Sequence, residues 1–242
     1  RSRTQSSSLV SKISDLGGNP IEVPTIKIDK IENNIALENE IKNIKDYTYL
    51  ILTSKNAVDI FFDKLDEMDL DSRVLANLKV CAIGSATAKE IKNRGIKADV
   101  VPEKFVAEYL FEELKDVLKD SDKVLIPRSK NARDFLVDKI SEICEVKEVH
   151  IYETVLDDSK KDEVLDILNS GEADYITFAS SSTVTNFVDI IGKENIDKLN
   201  ELKVISIGPI TTQTAKSLNI NVYNEAEVST IDGMIDSIMN DK

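Results

Sequence analysis

The chain has 242 residues, 41% hydrophobic and 31% charged, with a net charge of −13. That length admits one large domain or two of ordinary size, and the apolar fraction is enough for two modest cores. The acidic balance excludes general nucleic-acid or membrane-surface binding, and an anionic ligand must be held by local donors rather than by the overall field.

In chain order, apolar residues at Leu9, Val10, Ile13 and Leu16 predict a helix over 4–16, stopped by Gly17-Gly18. A strand is expected over 21–28, a poor central strand because Pro24 has no backbone donor. A helix over 34–45, capped by Asn33 or Asn34, leads to a buried strand at 48–54 and a helix from Asn56. Next come strand 79–84, helix 86–94 ended by Gly95, strand 98–101, helix 105–119, strand 123–127, helix 130–143 and strand 146–153. The remainder reads helix 160–169, strand 174–179, helix 182–191, strand 203–207, helix 210–218, strand 220–223 and helix 229–240. This alternation predicts an α/β protein with parallel sheets flanked by helices. Continuous apolar runs such as YLILT and YITFA fit strands covered on both faces. No apolar run approaches the roughly 20 residues of a membrane span. Cys81 and Cys144 belong to no CxxC or Cys/His cluster, so free buried thiols in a reducing compartment are expected rather than a metal site.

The chain also repeats itself. LILTSKNAVDIFF (50–62) matches ITFASSSTVTNFV (176–188), with Val58 on Val184 at an offset of 126. AIGSATAKEIKNRGI (82–96) matches SIGPITTQTAKSLNI (206–220), with Gly84 on Gly208 at an offset of 124. RSRTQSSSLVSKI (1–13) matches RSKNARDFLVDKI (128–140), with Arg1 on Arg128 at an offset of 127. Three blocks in one order at nearly constant offset mean a duplicated α/β unit, two similar lobes and a cleft. In the second copy KVLIP (123–127) precedes Arg128, so a first strand is expected ahead of Arg1 and is missing from the chain. Residues 21–28 and 146–153 stand at equivalent places and read as crossings between lobes. An interleaved arrangement and two sequential lobes split near residue 122 are equally compatible with this pattern.

Ligands of open α/β sheets bind outside the carboxyl ends of the strands. Four such turns carry hydroxyls or glycine: Thr53-Ser54, Gly84-Ser85-Ala86-Thr87, Ser180-Ser181-Ser182 and Gly208-Pro209-Ile210-Thr211. Each opens a helix, where free N–H groups favour anions. Arg1 and Arg128 stand at two further turns. The set suits a ligand with several carboxylates or phosphates, although a serine at such a turn is also an ordinary cap. No GxGxxG or P-loop is present. His150, the only histidine, reads as an exposed strand residue rather than a base. Tyr152 ends the crossing strand; its phenol can donate a proton or simply pack at a hinge.

Taken in order, LILTSKNAV, IGSATA, PRS, VHIYET, ITFASSS and IGPIT resemble the uroporphyrinogen-III synthase family over essentially the whole chain. The resemblance implies two α/β lobes joined by a two-strand linker, with the first helix packed into the C-terminal lobe. Lobe 1 is then 1–23 with 154–242, lobe 2 is 30–146, and the linkers are 24–29 and 147–153. It also implies a reaction without cofactor or metal: hydroxymethylbilane loses water, ring D inverts, and the macrocycle closes as uroporphyrinogen III. Tyr152 matches the family's candidate proton donor. Thr53, Ser54, Gly84, Ser85, Thr87, Arg128, Ser180, Ser182, Gly208 and Thr211 match substrate-binding positions. A cytoplasmic location is expected, with a monomer as the default, and the resemblance links the chain to hydroxymethylbilane synthase or to a fused uroporphyrinogen methyltransferase. The rival expectation is a two-lobed ligand-binding or regulatory module without catalysis.

Overall fold

The computed structural model describes residues 3–241, with side chains from residue 8 onward. The helices are α1 (Arg3–Asp15), α2 (Ile35–Lys42), α3 (Lys55–Glu67), α4 (Ser85–Asn93), α5 (Ala107–Leu114), α6 (Phe135–Ser141), α7 (Lys161–Ser170), α8 (Ser181–Ile191), α9 (Ile196–Leu199), α10 (Pro209–Ser217) and α11 (Ile231–Met239). The strands are β1 (Ile26–Lys30), β2 (Tyr49–Leu52), β3 (Lys79–Ala82), β4 (Lys123–Ser129), β5 (Glu145–Leu156), β6 (Tyr175–Phe178), β7 (Lys203–Ser206) and β8 (Val222–Glu225). The chain forms two compact units: one is Ile28–Thr154, the other runs up to Lys27 and resumes at Val155. The expected first strand ahead of Arg1 lies outside the described residues. Among the described residues no helix is long and apolar enough to cross a membrane.

In the unit Ile28–Thr154 the sheet order is β1-β5-β4-β2-β3. Strand β2 pairs in parallel with β3 and β4, and β4 in parallel with β5. Leu50, Ile51 and Leu52 are all 0% exposed, which requires cover on both sheet faces. Their side chains alternate between two cores, as the period of two demands. Leu50 and Leu52 join Val80, Leu125, Phe61 of α3 and Ile91 of α4 on one face. Tyr49 and Ile51 join Cys81, Val124, Leu110 of α5 and Ile140 of α6 on the other. Each such fully buried aliphatic side chain contributes about 1.5–3 kcal/mol of transfer free energy.

In the other unit β6, β7 and β8 lie in that order, all parallel. The same alternation recurs: Val204 faces Phe178, Val184 and Ala215, while Ile205 faces Met234, Leu9 and Ile238. Helix α1 therefore shares a core with α11, and Lys12 also pairs with Asp232.

Some boundaries differ from the pattern-based expectation. The strand expected over 21–28 begins only at Ile26, two residues beyond the donor-less Pro24. The expected strand 98–101 shrinks to one bridge between Val100 and Cys81. Helix α6 starts at Phe135 instead of 130, because 130–134 form a braced loop described below. Helix α9 follows a short 3₁₀ turn at Lys193–Asn195, and neither was anticipated from periodicity because each is one turn long.

At the amino ends of β6, β7 and β8 the C-terminal segment is clasped. Asp241 accepts hydrogen bonds from Tyr175, from Tyr223 at 2.5 Å and from Lys203 at 2.5 Å. The Lys203 ammonium also lies over both rings, 5.5 Å from Tyr175 and 5.0 Å from Tyr223. Lys203 first, then the two phenols, hold the Asp241 carboxyl down at about 2. A depressed folded-state value means that the clasp stabilises above the unfolded aspartate value and is lost as pH falls through the folded one. Asp241→Asn should therefore lower the unfolding midpoint at pH 6, with the gap to wild type closing between about pH 4 and pH 2. Urea unfolding across that range checks it; a gap independent of pH would contradict the clasp.

Candidate functional site

Strand β2 sends α3 onward to β3, whereas β4 sends α6 the other way to β5. The two exits diverge at the carboxyl ends of β2 and β4, which is the topological switch point of this sheet. A pocket of about 310 Å³ opens there, lined by Thr53, Ser54, Ile83, Phe105, Arg128, Ser129, Arg133 and Tyr152, among others. Four of the residues singled out from sequence, Thr53, Ser54, Arg128 and Tyr152, thus meet in one place.

Tyr152 reaches the pocket through an irregularity in β5. Arg128 pairs with His150, but Ser129 pairs with Tyr152, so Ile151 is an extra residue on β5. Such a bulge breaks alternation and re-aims side chains. Ile151 and Tyr152 are accordingly both buried and share a core, while His150 stays exposed with Nε2 2.5 Å from Glu148. The Tyr152 phenol, 5% exposed as a residue, lies 2.9 Å from Ser54 Oγ. Ser54 is the N-cap of α3, its Oγ accepting the Ala57 N–H at 3.1 Å. Either hydroxyl can be the donor in this bond; when Ser54 donates to the phenol oxygen, the phenol proton is free to point into the pocket.

Arg128 is a buried brace. It is 3% exposed, and Nε donates to Glu148 at 2.5 Å, Nη1 to the Arg133 carbonyl at 2.7 Å, and Nη2 to Asp134. These bonds, with Asn131 Oδ1 accepting from Thr154 N–H at 2.7 Å, fix loop 130–134. Arg133 itself is exposed and pairs with Glu108 at 2.9 Å. Glu108 sits below its ordinary carboxylate value, first through its own backbone N–H and then through Arg133.

Gly84 caps α4 on the neighbouring strand end, Ser85 follows it exposed, and Thr87 is buried at 5%. These three do not line the pocket, although Ile83 beside them does. In the other unit Ser180 caps α8, accepting from Thr183 N–H, and its Oγ lies 3.1 Å from that of the exposed Ser182. Gly208 caps α10 and Thr211 is buried in its first turn. Ser181 Oγ donates to the Ile210 carbonyl, which ties these two turns together. Arg1 lies outside the described residues. Among the described residues no group of three or more His, Cys, Asp or Glu is arranged to hold a metal. Both cysteines are buried; burial pushes the Cys81 thiol up to about 12 and raises Cys144 as well.

Sequence reasoning missed Phe105 and Arg133 in the pocket wall, whereas Ser129 belongs to the PRS turn already noted. Phe105 carried one signal, a large aromatic in a charged stretch before a helix, and it is 56% exposed. Arg133 was hidden by the expected helix over 130–143, whose first five residues form a loop instead.

A family model described as uroporphyrinogen-III synthase HemD matches residues 7–236. A porphyrin biosynthesis protein HemD of Ruminiclostridium josui is 38% identical over 240 residues, 99% of this chain but 47% of that protein. The chain thus spans about half the length of that relative. A uroporphyrinogen-III synthase of Synechococcus elongatus is 30% identical over 241 residues, 97% of this chain and 90% of that protein. The solved uroporphyrinogen-III synthetase of Helicobacter pylori 26695 shares the fold with a TM-score of 0.57 at 19% identity, covering 93% of this chain and 96% of that one.

Ser54→Ala removes both a helix cap and the buried partner of a phenol. It should cost about 1–2 kcal/mol of stability. Urea unfolding with a probe in the unit Ile28–Thr154 measures this, and a midpoint equal to wild type would show that the hydrogen bonds are not formed.

Proposed function

Because this chain belongs to the uroporphyrinogen-III synthase family, we propose that it cyclises hydroxymethylbilane to uroporphyrinogen III with inversion of ring D and loss of water. One observation carries the proposal to particular atoms. The Tyr152 phenol sits at the switch-point pocket, hydrogen-bonded at 2.9 Å to the serine that caps α3.

The chemistry asks little of the protein. The pyrrole nitrogen of the terminal ring pushes out its hydroxymethyl oxygen, and one proton delivered to that oxygen makes water the leaving group. Tyr152 is the proposed donor. As its O–H proton leaves, the phenolate is met by the Ser54 hydroxyl and by the positive end of α3. The resulting cation is attacked by the substituted carbon of ring D; the spiro intermediate opens and recloses through the free carbon with that ring inverted, and the proton lost from that carbon restores the pyrrole and balances the one Tyr152 gave. Attack at the free carbon would give the uninverted isomer, so the enzyme acts mainly by holding one geometry.

The acetate and propionate arms need donors in a chain of net charge −13. We assign this role to helix-opening turns: Thr53-Ser54, and Gly84, Ser85 and Thr87, in one unit, and Ser180, Ser182, Gly208 and Thr211 in the other. Arg128 serves by fixing its loop. The same reading carries a cytoplasmic monomer, supplied with bilane by hydroxymethylbilane synthase.

The test is product analysis. Hydroxymethylbilane generated in place by a deaminase, with and without the protein, is followed by oxidation and separation of the uroporphyrin isomers. Isomer III should dominate with the protein present and isomer I without it. Isomer I alone in the presence of folded protein would overturn the proposal.

A further inference from the structure

We propose that Arg133 is a carboxylate-binding residue of the β2/β4 pocket, with Glu108 occupying its guanidinium until a carboxylate of the tetrapyrrole displaces it. This deepens the functional reading above and rests on it for the identity of the ligand.

Two guanidinium groups line the pocket. Arg128 is poorly suited to take a further anion. Glu148 and Asp134 set two carboxylates against its single charge, and it is 3% exposed. Nearby Lys130 pairs with Glu153 at 3.2 Å. Arg133 differs in each respect. Its side chain is 70% exposed and faces one carboxylate, Glu108, itself 41% exposed. Glu108 takes both prongs of the fork, Nη1 to Oε1 at 2.9 Å and Nη2 to Oε2 at 3.4 Å, the second bond long and both groups open to water, so a ligand carboxylate would exchange like for like.

Its root is nevertheless fixed. Arg128 Nη1 donates to the Arg133 carbonyl, and Arg128 Nη2 binds Asp134, the next residue. A buried arginine therefore sets the backbone from which an exposed arginine projects. The exposed side chain keeps a planar fork of donors that matches a carboxylate with two parallel bonds. Glu108 is a placeholder: it neutralises Arg133 in the free protein and competes with ligand.

The role separates from a plain surface ion pair because the two partners predict opposite effects. Uroporphyrin III, a polycarboxylate, is titrated by fluorescence into the full chain at fixed low ionic strength. Arg133→Gln should weaken binding about fivefold or more, and Arg133→Lys should recover part of the loss. Glu108→Gln should tighten binding about twofold to threefold by removing the competitor. Wild-type affinity in Arg133→Gln, no binding by wild type, or a loss of affinity in both Arg133→Gln and Glu108→Gln would each overturn the inference. The isomer assay keeps the two proposals apart. Isomer III from wild type, with uroporphyrin binding indifferent to Arg133, defeats only this inference. Arg133-dependent binding without isomer III supports the subsite and defeats the synthase reading.

Discussion

Parallel strand pairing sends every βα turn of a unit to the same edge of its sheet. That constraint organises this protein twice over. In each unit the carboxyl ends of adjacent strands deliver helix starts side by side: Ser54 and Gly84 in one, Ser180 and Gly208 in the other. Helix starts present unpaired N–H groups and the positive end of the dipole. A chain that is strongly acidic overall thereby gains local sites suited to carboxylates without spending many arginines or lysines on them. Where the exits diverge, between β2 and β4, the arrangement also opens a pocket.

Two departures from regularity equip that pocket. The extra residue Ile151 turns Tyr152 toward the same side as its neighbour and brings its phenol to Ser54. The loop 130–134 replaces the first turns of a helix and is held by Arg128, whose guanidinium is consumed in doing so. Burial of a charge is tolerable when carboxylates and a carbonyl satisfy it. The brace leaves the outward side chain of the same loop, Arg133, available at the pocket wall.

Much of this was legible in the sequence because it is written in periodicities. Apolar runs such as LIL and alternating helices carry the α/β class, and the internal repeat marks equivalent turns. Thr53, Ser54 and Tyr152 could be singled out because hydroxyls at strand-to-helix turns have a known physical use. The rest was set by tertiary contacts that no local pattern reports. The bulge at Ile151 depends on how β4 pairs with β5. The late start of α6 depends on a bond network centred on a buried arginine, Arg128, which lies two residues before the expected helix start and seven before the observed one at Phe135. Arg128 read from sequence as a free cation at a turn; the carboxylates that enclose it, Glu148 and Asp134, come from β5 and from the loop ahead of α6. The fate of Pro24, by contrast, followed from its own chemistry: a residue without a donor stays outside the strand, which begins at Ile26.

The central claim is that the Tyr152 phenol supplies the proton that turns the bilane hydroxyl into water. Tyr152→Phe removes one oxygen and keeps the ring that packs in the core beside Ile151. The decisive measurement is the single-turnover rate of isomer III formation by this variant, with its unfolding midpoint recorded alongside. A donor role predicts a fall of about 100-fold, within the range of general acid catalysis, in a protein that still folds. A rate within a factor of about two of wild type, a barrier change well under 1 kcal/mol, would contradict it.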